Sequence, residues 1–149
     1  MNKLVLFFSS VFGTGYIKYA PGTFGTLAGL LLWVLFIPDN YTLHLLAIIS
    51  IFIVSVFLSS AAEKIYSKKD DQRIVIDEVA GIWVAVAFLP KTVLFLGLGF
   101  ILFRFFDIKK PWFIRKSQKI KGGFGITADD ILAGLFANII LQALHIFIK

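Results

Sequence analysis

Apolar runs at about 24–37, 42–60, 79–89, 92–106 and 131–148, with a short one at 4–12, leave only brief polar breaks at 38–40, 63–73, 90–91 and 107–128. That pattern constrains the fold more than any motif does. A chain of 149 residues with 17 Phe and a mean hydropathy of +0.87 carries more apolar side chain than a water-soluble domain of this size can hide. It reads as a single integral membrane domain over 1–149, expected to be all-α.

Only the runs at 42–60 and 131–148 approach the roughly 20 residues of an upright span. The 79–106 stretch admits two readings. As one helix of about 28 residues it would overshoot a hydrocarbon core of about 30 Å and would put the basic segments 63–73 and 107–121 on opposite sides. As a hairpin turning at Pro90-Lys91 it returns both to one side, which the positive-inside rule favours. A second turn at Pro38-Asp39-Asn40 brings segment 13–26 to the same side. The expectation is a polytopic bundle of about five helices or half-helices with its polar chemistry on the cytoplasmic face.

Most of the fifteen basic residues lie in those two segments, so the net charge of +6 points to anionic lipid rather than to nucleic acid. There is no Cys, hence no disulfide framework or thiolate chemistry. Lys3 followed by the apolar 4–12 run has the outline of a signal peptide, but a Gly-rich motif follows in place of a cleavage site, so the segment is expected to stay in the mature protein.

Five of the nine acidic residues sit at the ends of apolar runs, as Asp77-Glu78, Asp107 and Asp129-Asp130. Carboxylates there are costly without a partner. One acid per helix start is explained by capping, but adjacent residues point about 100° apart and only one of a pair can cap well. Two doublets and a further Asp on one face have the oxygen-rich composition that Mg²⁺ favours, with a substrate phosphate completing the shell. Beside them, Arg104 lies one turn before Asp107 and Lys110 is fixed by Pro111, so both are placed to grip a phosphate. Lys109, Arg115, Lys116, Lys119 and Lys121 read as cations snorkelling to headgroups. Gly13-Thr14-Gly15 and Ala20-Pro21-Gly22-Thr23-Phe24-Gly25-Thr26 are either tight turns with Thr caps or loops whose N–H and hydroxyl groups cradle phosphate. Neither matches a P-loop. Gly122-Gly123-Phe124-Gly125 is open to the same two readings. His44 and His145 lie inside apolar runs and read as packing residues.

Taken together, Gly13-Thr14-Gly15, 20–27, Ile74-Val75-Ile76-Asp77-Glu78-Val79-Ala80-Gly81, Phe103-Arg104-Phe105-Phe106-Asp107-Ile108-Lys109-Lys110-Pro111 and Gly122-Gly123-Phe124-Gly125-Ile126-Thr127-Ala128-Asp129-Asp130-Ile131-Leu132-Ala133-Gly134 resemble the phosphatidylglycerophosphatase A family, in the family's order and over most of the chain, from Gly13 to Gly134. The resemblance implies a Mg²⁺-dependent, multi-pass phosphatase of the bacterial inner membrane that converts phosphatidylglycerophosphate to phosphatidylglycerol. On that reading Mg²⁺ is held by Asp77, Asp129 and Asp130, and Glu78 or Asp107 activates water. Arg104, Lys110, Thr14, Lys18, Thr23 and Thr26 contact the substrate. A variant mechanism makes one Asp a nucleophile. Lys18 and Phe113 stand where the family usually has proline, which affects loop geometry rather than the carboxylates. The competing reading is a small transporter or lipid-binding protein. A transporter would spread its charges along mid-span rather than gather them at one face.

Overall fold

The structure, a computed structural model, describes residues 2–111 and 122–148. Among the described residues it is all-helical, with six α-helices: α1 (Asn2–Ser9), α2 (Pro21–Phe36), α3 (Tyr41–Tyr66), α4 (Ile76–Val86), α5 (Val93–Lys109) and α6 (Gly123–Ile148), plus a short 3₁₀ turn at Thr14–Tyr16. The helix starts follow local chemistry. Pro21 opens α2, where its missing N–H costs nothing. Asn40 Oδ1 accepts from the Leu43 N–H at 3.1 Å to cap α3, and Thr92 caps α5 through the Phe95 N–H.

The 79–106 stretch is broken as expected. α4 ends at Val86 and α5 begins at Val93, with Pro90 and Lys91 in the connection. The break at 38–40 likewise separates α2 from α3. Two helix boundaries depart from the hydropathy pattern. α3 runs on to Tyr66, past the apolar run, and α6 begins at Gly123, eight residues before the apolar run at 131. The segment 122–125 is therefore the start of a helix. Residues 22–26 similarly lie within α2 and are not a loop.

α4 is the centre of the bundle. Eight of its 11 residues are buried, and it packs against α2, α3, α5 and α6. Ile82, Ala85 and Val86 of α4 meet Trp33, Phe103, Ala133 and Ala137 in the main apolar cluster. The α4–α6 crossing is close because it is built on glycine: a Cβ on Gly134 would run into the backbone of Gly81, and one on Gly81 would strike the Phe103 ring and the Asp130 carbonyl. The outside is apolar, with Leu31, Leu35, Phe57, Ile101 and Ile139 all exposed. In a soluble protein that surface would be an aggregation hazard; in a bilayer it is the lipid face. Among the described residues, α3 and α6, 26 residues each, are the two helices long and apolar enough to cross a membrane.

The turn after α4 is unusually well satisfied. Asn138 Nδ2 donates to the carbonyls of Ala85 and Ala87 at 3.0 and 2.9 Å, and Gln142 Nε2 donates to Ala87 at 3.2 Å. Phe88 N–H donates to His44 Nδ1 at 3.0 Å, and Lys91 reaches the Ile37 carbonyl. Backbone groups freed where the helix stops thus find side chains from α3 and α6 rather than water.

Candidate active site

The start of α4, the end of α5 and the early turns of α6 meet at one end of the bundle, and they carry all five of the acidic residues singled out above. Asp77 and Glu78 fall in the first turn of α4. Asp129 and Asp130 do not open α6; they lie nearly two turns inside it, where their own N–H groups are already bonded within the helix. Capping therefore leaves the second doublet unexplained.

One carboxylate oxygen from each of Asp77, Glu78 and Asp130 lies within 4.8 Å of the other two. Asp77 and Asp130 are 6% and 3% exposed. Asp77 Oδ1, Glu78 Oε2 and Asp130 Oδ2 are buried atoms without a hydrogen-bond partner. Three orphaned, inward-facing oxygens are unfavourable in a bare protein and are what a small oxygen-loving cation requires. The residues present fit Mg²⁺. The compact group contains Glu78 where the sequence reading placed Asp129.

Asp129 faces α5 instead. Lys110 Nζ donates to its Oδ2 at 2.6 Å and lies 3.7 Å from Asp107 Oδ1. Arg104 holds the other oxygen of Asp107 at 2.5 Å and stands 4.0 Å from Glu78 Oε1. Burial alone would lower the Lys110 ammonium, but Asp130, Asp129 and Asp107 hold it above its ordinary value. Five carboxylates thus surround two cations, and each cation has a second carboxylate within reach.

Gly22 brings the N-terminal end of α2 against this cluster. A Cβ there would fall 3.1 Å from an Arg104 guanidinium nitrogen and closer still to Glu78 Oε1. The remaining predicted contacts are more distant in kind. Thr14 Oγ1 donates to the carbonyls of Ser10 and Val11 and closes its own turn. Thr26 is fully buried and donates back to Gly22 O at 2.8 Å, so its hydroxyl serves α2. Thr23 lies half-buried in the first turn of α2, and Lys18 is exposed over the Tyr19 ring. Phe113, Arg115, Lys116, Lys119 and Lys121 lie outside the described residues.

The approach to Asp77 is braced by a latch that sequence reading missed. Arg73 pairs with Asp71 at 2.7 and 3.0 Å and stacks on Tyr66, which meets the Tyr16 hydroxyl at 2.7 Å. This bond to Arg73 depresses the Asp71 carboxyl to about 2 against the opposing effect of burial.

A lipid-facing helical bundle with clustered acids and phosphate-compatible cations at one end defines a membrane enzyme acting on an anionic, headgroup-bearing substrate. The chain belongs to the phosphatidylglycerophosphatase A family, whose model matches residues 7–145, and it is accordingly a lipid phosphatase. It is 36% identical over 137 residues to the phosphatidylglycerophosphatase A of Haemophilus influenzae, covering 90% of this chain and 84% of that one. Against the phosphatidylglycerophosphatase A of Escherichia coli it is 36% identical over 132 residues, 87% of this chain and 77% of that one. A Bacteroides thetaiotaomicron protein provisionally named a phosphatidylinositol-3-phosphatase is 34% identical over 137 residues, 87% and 86% of the two chains. No solved structure matches the chain.

Proposed function

We propose that the protein hydrolyses the terminal phosphate monoester of phosphatidylglycerophosphate, releasing phosphate and phosphatidylglycerol, from a multi-pass position in the bacterial inner membrane with the site facing the cytoplasm. The observation that carries this is the trio of unpartnered carboxylate oxygens on Asp77, Glu78 and Asp130, set beside Arg104 and Lys110. Asp77, Glu78 and Asp130 would hold Mg²⁺. When bound, the ion supplies Lewis-acid stabilisation of phosphoryl charge.

The chain's own residues do the rest by exchange of partners. In the resting arrangement Arg104 is masked by Asp107, and Lys110 by Asp129. An incoming phosphate competes for both cations, and planar guanidinium and point-like ammonium each transfer readily to phosphoryl oxygen. Asp107, released from Arg104, orients a water and takes its proton as the water oxygen bonds to phosphorus. The ester bond to the glycerol oxygen breaks, and that alkoxide leaves with a proton from solvent. Little covalent work falls to the protein, because a loose phosphoryl transition state is served mainly by position and charge. Lateral access at the rim lets the acyl chains remain in lipid. The ten basic residues of the flanking segments 63–73 and 107–121 favour an anionic, cytoplasmic membrane surface.

The test is phosphate release in detergent by wild type and Asp130→Asn, with Mg²⁺ or EDTA, from phosphatidylglycerophosphate and, in parallel, from phosphatidylinositol 3-phosphate. Mg²⁺-dependent turnover of the first substrate, abolished in a folded Asp130→Asn, is the expected result. Preference for the second substrate would reassign the headgroup, and EDTA-resistant turnover would remove the metal from the reading.

A further inference from the structure

Ser55 of α3 and Thr127 of α6 are fully buried, and their hydroxyl oxygens lie 2.8 Å apart. Neither is among the residues expected from the sequence to touch substrate or metal. As glue the pair is a poor choice. A buried hydrogen bond of this kind contributes only about 1 kcal/mol net, and two apolar residues of matching shape would hold the helices about as well. What a hydrogen bond adds that apolar packing does not is direction.

Direction matters on α6 because its two site carboxylates face different ways. At about 100° per residue, Asp130 lies about 60° around the helix from Thr127 and about 4.5 Å further along it, while Asp129 lies on nearly the opposite side. Asp130 accordingly joins Asp77 and Glu78 of α4, and Asp129 reaches Lys110 at the end of α5. Thr127, pulling toward α3, is the counterweight to both. Rotating α6 about its axis would carry Asp130 out of the trio and Asp129 off Lys110 together. The neighbouring restraints do not replace the pair. The Gly123 N–H to Ser60 Oγ bond, at 3.0 Å, holds the first turn of α6 six residues before Asp129, and Asn138 holds α4 two turns beyond Asp130. Along the α4 crossing, Gly81 and Gly134 allow close approach, and the apolar contacts of Ile82 and Ala85 with Ala133 and Ala137 lie beyond Asp130 on α6 and are non-directional.

We propose that Ser55 and Thr127 form a positioning pair that sets the rotation of α6 and thereby places both Asp129 and Asp130 for catalysis. This rests on the reading of those carboxylates as the phosphatase site. Neither hydroxyl touches the reacting atoms.

The experiment compares wild type, Thr127→Val, Thr127→Ser, Ser55→Ala and the double variant Ser55→Ala/Thr127→Val in detergent, measuring Tm, kcat and KM for phosphatidylglycerophosphate. Thr127→Val keeps the shape, orphans Ser55, and is expected to lower both Tm and kcat, the latter at least about tenfold with KM within about twofold, as misplacement of reacting groups does. Thr127→Ser restores both. The double variant removes the orphan and recovers Tm, yet kcat stays low, a split that a purely structural pair cannot produce. Ser55→Ala, the milder lesion, lowers kcat in the same direction and serves if Thr127→Val does not fold. Recovery of kcat along with Tm in the double variant overturns the proposal, as does a Thr127→Val kcat equal to wild type. A wild type that releases no phosphate overturns the phosphatase reading, and this proposal falls with it.

Discussion

Lys110 Nζ lies 2.6 Å from Asp129 Oδ2, across the gap between the end of α5 and α6. Asp129 is 3% exposed, so a charge-assisted bond of this kind offsets part of the cost of burying its carboxylate. Lys110→Met should remove the cation that bonds a buried carboxylate and destabilise the protein by about 3 kcal/mol. It should also weaken substrate binding, because the same ammonium is needed by the phosphate. Lys110→Arg should keep most of the stability. Thermal melts in detergent with KM measurements on the same samples check both halves.

The crowding at Gly22 predicts a sharp cost for a small change. Gly22→Ala puts a methyl group where Glu78 and Arg104 already stand. Ala is otherwise the better helix former by about 1 kcal/mol, so propensity alone predicts a more stable protein. The expected outcome is a fall in kcat of at least about tenfold from the displaced Arg104 and Glu78. An active, stabilised Gly22→Ala would mean that the two side chains move aside freely.

Asp77, Glu78 and Asp130 repel one another when no cation lies between them. Asp77→Asn should therefore raise Tm in EDTA while abolishing phosphate release, since functional sites hold like charges at the expense of stability. Mg²⁺ should raise the Tm of wild type and leave that of Asp77→Asn nearly unchanged. Melting curves with and without Mg²⁺ measure both.

Asp71 and Arg73 predict an acid limb to stability. The folded-state carboxyl titrates near 2, below its ordinary 3.8, so the pair stabilises the fold fully above about 4. That contribution is lost as pH falls from about 4 toward 2, where the folded form too becomes protonated. Asp71→Asn should be less stable than wild type at pH 7 and should show a flatter dependence between pH 4 and 2. Since Arg73 is partly exposed, added salt should shrink the difference. Urea melts across that pH range provide the check.

The hydropathy runs and proline breaks were enough to place the helices, the hairpin at 87–92 and the convergence of the five acids, because those features depend on local sequence. Helix starts were harder. Gly122-Gly123-Phe124-Gly125 reads as a loop since isolated glycine disfavours helix by about 1 kcal/mol, yet residues 123–125 are helical because tertiary packing outweighs that preference. Residues 22–26, which read as either a tight turn or a phosphate cradle, are likewise helical, and the Thr26 hydroxyl donates to Gly22 O. The grouping of Glu78 with Asp77 and Asp130, and of Asp129 with Lys110, depends on how α6 is rotated against α4 and α5. No spacing along the chain encodes that angle. Ser55 gave no signal at all, being one more serine in an apolar run.

The turn that ends α4 also has a bearing on how the protein is made. The carbonyls of Ala85 and Ala87 and the N–H of Phe88 have as partners Asn138 and Gln142, near the C-terminal end of the sequence, and His44, near its beginning. When the α4–α5 hairpin leaves the ribosome, two of those three partners are still behind it, enclosed by the ribosome. Exposed to hydrocarbon, each open backbone group costs several kcal/mol. The hairpin must therefore wait at the interface, or beside the insertion machinery, until α6 arrives to close it. Biogenesis is thus expected to finish from the C-terminus inward, and truncations that remove Asn138 and Gln142, in the last three turns of α6, should stall assembly even though they lie far from the carboxylates.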